Sequence, residues 1–185
     1  MKKQLLFFII LLNSSVMDAQ QTQLIDPIKY QGDWYLIGSK PSFLDKNWIN
    51  TKEHYTWDAQ NGFFDVVATY NKKPGGKLKT TKEKVIPLAD SNFTKWTARI
   101  WLFIHADYYI YKIADDYSYV VIGHPKQKYL YIMARKPEMD ADLYREMIEF
   151  AVDLGYKREE ILRHVQESQK SKVKSQKMEV YDSIL

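Results

Sequence analysis

Four histidines, His54, His105, His124 and His164, are the residues whose chemistry would matter most for metal binding or acid–base catalysis, and they lie far apart in the chain. None sits in an HExxH pattern or another close ligand spacing, so no metal site is expected. The chain has no cysteine, which removes thiol nucleophiles, disulfides and Cys-based metal sites. No GxSxG elbow occurs, and the KPGGK run at 73–77 lacks the upstream glycine and following hydroxyl of a phosphate loop. Asp115 and Asp116 are adjacent, which suits a turn better than a paired carboxylate site. Asn92-Phe93-Thr94 matches a glycosylation acceptor, relevant only to a eukaryotic secretory route. These residues form no catalytic constellation and call for no cofactor.

The unusual feature is the aromatic load: 14 Tyr, 5 Trp and 8 Phe, many in segments that read as strands. Tyr and Trp bury large apolar area yet need a partner for OH or NH, so a half-wet cavity suits them. Ordinary strand packing accounts for them equally well. One segment can be oriented unaided. In FDVVATY, Phe64, Val66, Ala68 and Tyr70 share a face opposite Asp65 and Thr69, and small Val66 and Ala68 leave room between the two aromatics. Trp101, Phe103, Tyr109 and Tyr111 stay ambiguous, because both faces of their strands are apolar.

The elements that would position these residues follow from periodicity. Apolar residues recur with period two over 34–39, 52–57, 63–70, 78–88, 97–104, 108–114, 118–123 and 128–135. Between them lie turn-rich breaks, DAQNG, NKKPGG, ADSN, HAD, ADD and HPKQ. Consecutive short strands with short connections make an antiparallel meander, which must close into an up-and-down barrel or stack as a sandwich to protect its edges. After Asp140 the period changes: Leu143, Met147, Phe150, Ala151 and Leu154 fall on one helical face, with Asp140 as N-cap and Gly155 as stop. Residues 161–166 are expected to return as an extra strand.

The ends differ from this single domain. Residues 1–19 carry Lys2 and Lys3, an apolar run from Leu5 to Leu12 and a small Ala19, the pattern of a cleaved signal peptide. Residues 167–185 are polar and lysine-rich and read as a disordered tail, with weak contact to an anionic membrane surface as the sharper alternative. A net charge of +4 is too mild to argue for nucleic-acid binding.

Three short motifs then occur in order. Gly32-Asp33-Trp34-Tyr35 resembles the GxW motif that opens the first strand of lipocalins. Asp115-Asp116-Tyr117 resembles their TDY turn, with Asp115 in place of threonine, and Arg135 in YLYIMARKP is similar to the arginine closing the eighth strand. The resemblance covers roughly residues 28–166 and, within the family, is greatest to bacterial outer-membrane lipocalins and apolipoprotein D. It implies an all-β fold: an eight-stranded antiparallel up-and-down barrel, or calyx, with a C-terminal α-helix packed outside, over a domain of 20–166.

The function implied is binding, storage or transport of a small lipophilic ligand, a fatty acid or lysophospholipid, in the cell envelope. Bacterial members carry an acylated cysteine at the mature N-terminus; Ala19-Gln20-Gln21 here implies a soluble periplasmic or secreted form instead. An enzyme on the same barrel is the alternative, although the thiol of the prostaglandin-synthesising members is missing. A barrel filled by its own tyrosines and serving as an interaction module is another. Oligomeric state is not readable.

The resemblance also implies roles for residues. Gly32, Trp34, Asp115, Tyr117 and Arg135 would form the closed end, with Arg135 stacked on Trp34. Tyr55, Trp57, Phe64, Val66, Ala68, Tyr70, Tyr108, Ile110, Tyr129 and Tyr131 would face the ligand, and Phe43, Leu44 and Trp48 would overhang the mouth or fold back on its rim. The same parity turns Lys112 inward. It would meet a carboxylate such as Glu53, or neutralise an anionic ligand head, unless a bulge shifts its strand.

Overall fold

The period-two segments form β1 (Gly32–Lys40), β2 (Ile49–Asp58), β3 (Phe63–Asn71), β4 (Lys79–Pro87), β5 (Lys95–Trp101), β6 (Ile104–Ile113), β7 (Tyr119–Gly123) and β8 (Leu130–Ala134). The computed structural model describes residues 24–88, 91–101, 104–164 and 166; the predicted leader and tail lie outside them. Each strand pairs antiparallel with the next, and β1 pairs with both β8 and β2, so the sheet closes into an eight-stranded up-and-down barrel. Closure leaves the main strands without an open edge.

One boundary differs from expectation. His105-Ala106-Asp107 is not a turn but the first half of β6, paired with Arg99, Ala98 and Thr97 of β5. His105 and Asp107 are exposed while Ala106 faces the core. A polar outer face in strict alternation carries the same residue types as a turn, which is why it reads as one.

A short strand, β9 (Leu162–Arg163), joins β1 opposite Gly38 and Ser39. Just beyond it, the Gln166 side-chain amide donates to the Leu36 carbonyl on β1 at 2.9 Å and to the Thr51 carbonyl on β2 at 3.4 Å. The chain thereby bridges the seam where β1 and β2 diverge.

Two helices complete the fold. The helix α1 (Pro27–Tyr30), absent from the sequence expectation, is capped by Asp26, whose carboxylate accepts the Ile28 and Lys29 N–H groups. Its signal was an N-cap acid followed by proline at the first helical position. The helix α2 (Ala141–Asp153) begins at the Asp140 cap and lies outside the barrel. It buries Met147, Ile148 and Ala151 against Ile37, Val121, Leu130 and Ile132, each large side chain contributing about 1.5–3 kcal/mol. Close approach depends on Gly38, where an added Cβ would stand 2.9 Å from the Tyr144 ring. Among the described residues no helix is long and apolar enough to cross a membrane.

Candidate functional site

The closed end of the barrel is built where β1 begins. Gly32 has φ +102°, and a Cβ there would lie 3.3 Å from Arg135 Nη1. Trp34 is fully buried, its indole N–H donating to the Tyr30 carbonyl at 2.9 Å. The Arg135 guanidinium carbon lies 3.8 Å from the centre of the Trp34 ring. Its Nε donates to the Tyr117 carbonyl (3.2 Å), Nη1 to Asp33 (3.0 Å), and Nη2 to Lys29 (2.7 Å) and Tyr30 (2.9 Å). The last two carbonyls end α1, where a cation is favoured. Tyr117, at φ +57°, accepts the Asp26 N–H on its hydroxyl at 2.9 Å. Asp115 is exposed in the turn beside these residues and joins none of the contacts.

Above this end the interior divides by height. At the bottom, Tyr30, Trp34, Tyr55, Phe64 and Trp96 pack ring against ring, with neighbouring centroids 4.6–5.8 Å apart. Trp57 lies against Phe64 at 4.8 Å. Such pairs add about 0.5–1.5 kcal/mol each beyond burial. Tyr55, Trp57 and Phe64 therefore belong to a solid aromatic floor rather than an open wall, and Val66 and Ile110 are buried with them.

Higher up, Tyr108 on β6, Tyr131 on β8 and Tyr129 just before β8 form a second aromatic group. The three tyrosine rings are mutually 5.5–6.1 Å apart. The Tyr129 hydroxyl donates to the Asp107 carbonyl at 2.6 Å. Two acids join this zone that the sequence did not single out as wall residues: Glu53, considered only as a partner for Lys112, and Glu83. Glu53 is the cross-strand partner of Trp34 and Ala68, and Glu83 that of Val66, so both point inward. The Tyr55 hydroxyl donates to Glu53 at 2.7 Å. Burial pushes the Glu53 carboxyl up to about 7 and, with the charge of Glu53, pushes Glu83 up to about 8. Burial also holds the Tyr108 and Tyr131 hydroxyls protonated, well above their usual range. Glu53, Glu83, Tyr108 and Tyr131 lie deep in the barrel yet keep accessible surface, as side chains do when they line a hollow. The signal for Glu83 was its parity with Val85; flanked by outward Lys82 and Lys84, it reads as part of a charged outer face.

Lys112 is a correction. A bulge between Ile110 and Lys112 reverses the alternation, so Ile110 faces the core and Lys112 faces out. Its ammonium pairs with Glu146 of α2 at 2.7 Å and lies 5.2 Å from the Phe150 ring centre. It neither meets Glu53 nor reaches a ligand head.

At the mouth, the loop between β1 and β2 separates its apolar residues. Trp48 folds back and stacks on Tyr70, centroids 3.7 Å apart and planes 6° from parallel. Phe43 and Leu44 project outward, 76% and 36% exposed. Ser42 donates to Asp45 at 2.7 Å, and both act on the Tyr131 hydroxyl below them.

A closed barrel, a helix outside it and an arginine stacked on a floor tryptophan together define a calyx protein. The lipocalin-like domain family matches residues 25–166, and the chain belongs to it. Members generally bind small hydrophobic ligands and are binding or transport proteins rather than enzymes. Over 134 residues the chain is 30% identical to temperature-induced lipocalin-1 of Arabidopsis thaliana, spanning 69% of this chain and 72% of that protein. Its fold is similar to that of apocrustacyanin C2, with a TM-score of 0.63 at 15% identity, covering 81% of this chain and 83% of that one. Insecticyanin of the tobacco hornworm Manduca sexta gives a TM-score of 0.59 at 12% identity, covering 78% and 82%. At such identities the structural likeness is one of fold.

Proposed function

We propose that this protein binds, stores or transports a small lipophilic molecule in the upper half of its calyx. The size class is that of a single-chain lipid such as a fatty acid or lysophospholipid, and the setting is the cell envelope or the space outside it. The motif likeness to bacterial lipocalins and apolipoprotein D supports both points. The observation that carries the reading is the accessible inner wall above the aromatic floor, at Glu53, Glu83, Tyr108 and Tyr131. An apolar chain against such a wall gains about 0.8 kcal/mol per buried methylene, so chain burial alone supports useful affinity. With Lys112 outside, that lysine does not meet a fatty-acid carboxylate; Lys79, exposed and cross-strand from Tyr70, shares the inward parity near the rim, so such a head would remain at the mouth.

The test is native extraction from the producing organism followed by mass spectrometry of what stays bound, together with titration of a fluorescent single-chain lipid into purified protein. A co-purifying lipid and saturable uptake of the probe are expected. Neither a bound molecule nor probe uptake would overturn the reading.

A further inference from the structure

The deeper part of the barrel interior carries two acids, while Lys79, cross-strand from Tyr70, stands exposed near the rim. Glu53 on β2 and Glu83 on β4 face inward from either side of β3, whose small Ala68 and Val66 lie between them. Asp45 of the mouth loop bears on both. Among the described residues no lysine or arginine forms an ion pair with any of the three. His164, near Asp45, is kept neutral by burial and shares a 2.7 Å hydrogen bond with Ser39.

A second, independent observation marks the same place. Two buried hydroxyls have no hydrogen-bond partner: Tyr30 Oη and Thr51 Oγ1, in residues 0% and 3% exposed. Tyr30 Oη lies beside the Tyr55 hydroxyl, which itself donates to Glu53, and feels the charge of Glu53. Buried polar groups in folded proteins are almost always satisfied. Two inward acids without an ion-pair partner, and the buried Tyr30 hydroxyl beside Glu53, therefore describe a polar recess that a donor from outside the chain can complete.

We propose that Glu53 and Glu83 form an internal receptor for the positively charged nitrogen of a lipophilic amine, which enters nitrogen first and leaves its apolar chain along Tyr108 and Tyr131 toward the mouth. This rests on the lipid-binding reading above and assigns the polarity of the ligand's head. An ammonium group brings several N–H donors on one centre, matching two carboxylates and hydroxyl oxygens, and charge-assisted bonds of this kind are the strong ones. A carboxylate head brings no N–H donor to these carboxyls and opposes their ionisation. A divalent ion fits less well, since no group of three or more His, Cys, Asp or Glu suited to a metal occurs among the described residues. Burial already keeps these acids protonated near neutrality, so an arriving ammonium displaces protons and lets the carboxyls ionise.

The experiment displaces a bound fluorescent single-chain lipid from the full protein at pH 8 with dodecylamine, dodecanol or dodecanoic acid, three probes of equal chain length. Dodecylamine is expected to act at a concentration at least ~10-fold below dodecanol, the yield of one charge-assisted contact, with dodecanoic acid weakest. Glu53→Gln and Glu83→Gln are expected to shrink the amine-to-alcohol ratio ~10-fold each, and amine binding to wild type should release protons, read by calorimetry in buffers of different ionisation enthalpy. Equal potency of all three probes, or an advantage for the acid, would overturn this inference and leave calyx binding standing. An unchanged amine-to-alcohol ratio in both folded variants would also overturn it. Failure of every probe to bind or displace would remove the lipid-binding reading itself.

Discussion

The Arg135 guanidinium lies 3.8 Å over the centre of the Trp34 ring while its nitrogens reach the carbonyls of Lys29, Tyr30, Asp33 and Tyr117. One side chain thus ties α1, β1, the β6–β7 turn and the end of β8 together. Replacing it by alanine removes the donor from the Lys29, Asp33 and Tyr117 carbonyls, leaves Tyr30 only the Trp34 indole N–H, and bares the indole face. Arg135→Ala should lower unfolding free energy by about 2–4 kcal/mol in urea melts. Arg135→Lys should recover only part of it, because an ammonium lacks the planar fork. A loss below about 0.5 kcal/mol for alanine would contradict this role for the stack.

Gly32 combines two constraints that can be separated. Gly32→Ala meets a φ of +102° and a Cβ contact of 3.3 Å with Arg135, whereas Gly62→Ala meets a φ of +70° and open space. The second substitution should cost about 1 kcal/mol from backbone strain alone. The first should cost clearly more, and equal losses in thermal or urea unfolding would remove the steric contribution.

Stability should fall as pH rises through the neutral range. Glu53 and Glu83 have folded values of about 7 and about 8, raised from 4.5 mainly by burial. A raised carboxyl means the folded state holds protons that the unfolded chain has released. The contribution of these groups is therefore whole below about pH 4.5 and is lost as pH passes 7 and 8. Asp45, Tyr30, Tyr55, Tyr108 and Tyr131 face the pair, and the buried tyrosines, pushed above their usual range, stay neutral throughout. Asp33, held low by hydrogen bonds from His54 and Lys52, works in the opposite direction and favours the fold above its unfolded value. Unfolding free energy should peak at mildly acidic pH, and the double variant Glu53→Gln, Glu83→Gln should flatten the decline by ~1–3 kcal/mol at pH 8. A profile rising from pH 6 to 8 in the wild-type protein would contradict the assignment.

Lys112→Met is expected to leave the affinity for both a fatty acid and its uncharged ester unchanged, since the ammonium pairs with Glu146 outside the barrel. Stability should change by less than about 1 kcal/mol, as for other partly exposed ion pairs. Selective loss of fatty-acid binding in a displacement assay would return the lysine to the cavity.

Trp48 stacks on Tyr70 with planes 6° from parallel, which pins the mouth loop to β3. Trp48→Ala should release the loop and raise both association and dissociation rates of a bound lipid in stopped-flow measurements, with a smaller change in their ratio. Unaltered rates would show that ligand passes elsewhere along the rim.

The sequence by itself determined the meander, the outer helix with its Asp140 cap, the inward face of Phe64, Val66, Ala68 and Tyr70, and the motif residues that meet at the floor. These are local or near-local facts: period two, period 3.6, turn chemistry and short motifs are written residue by residue. What only the tertiary structure decided has a different origin. The bulge before Lys112 reverses one strand's alternation, and a one-residue slip moves every later side chain to the opposite face. The height of a residue in the barrel depends on register across several strands, so Tyr55 and Phe64 pack with Trp34 and Trp96 at the closed end while Tyr108 packs with Tyr131. The acidity of the hollow depends on closure itself. Glu53 and Glu83 lie thirty positions apart on strands two removed in the sheet, and no local pattern distinguishes an acid pointing into a cavity from one pointing into water.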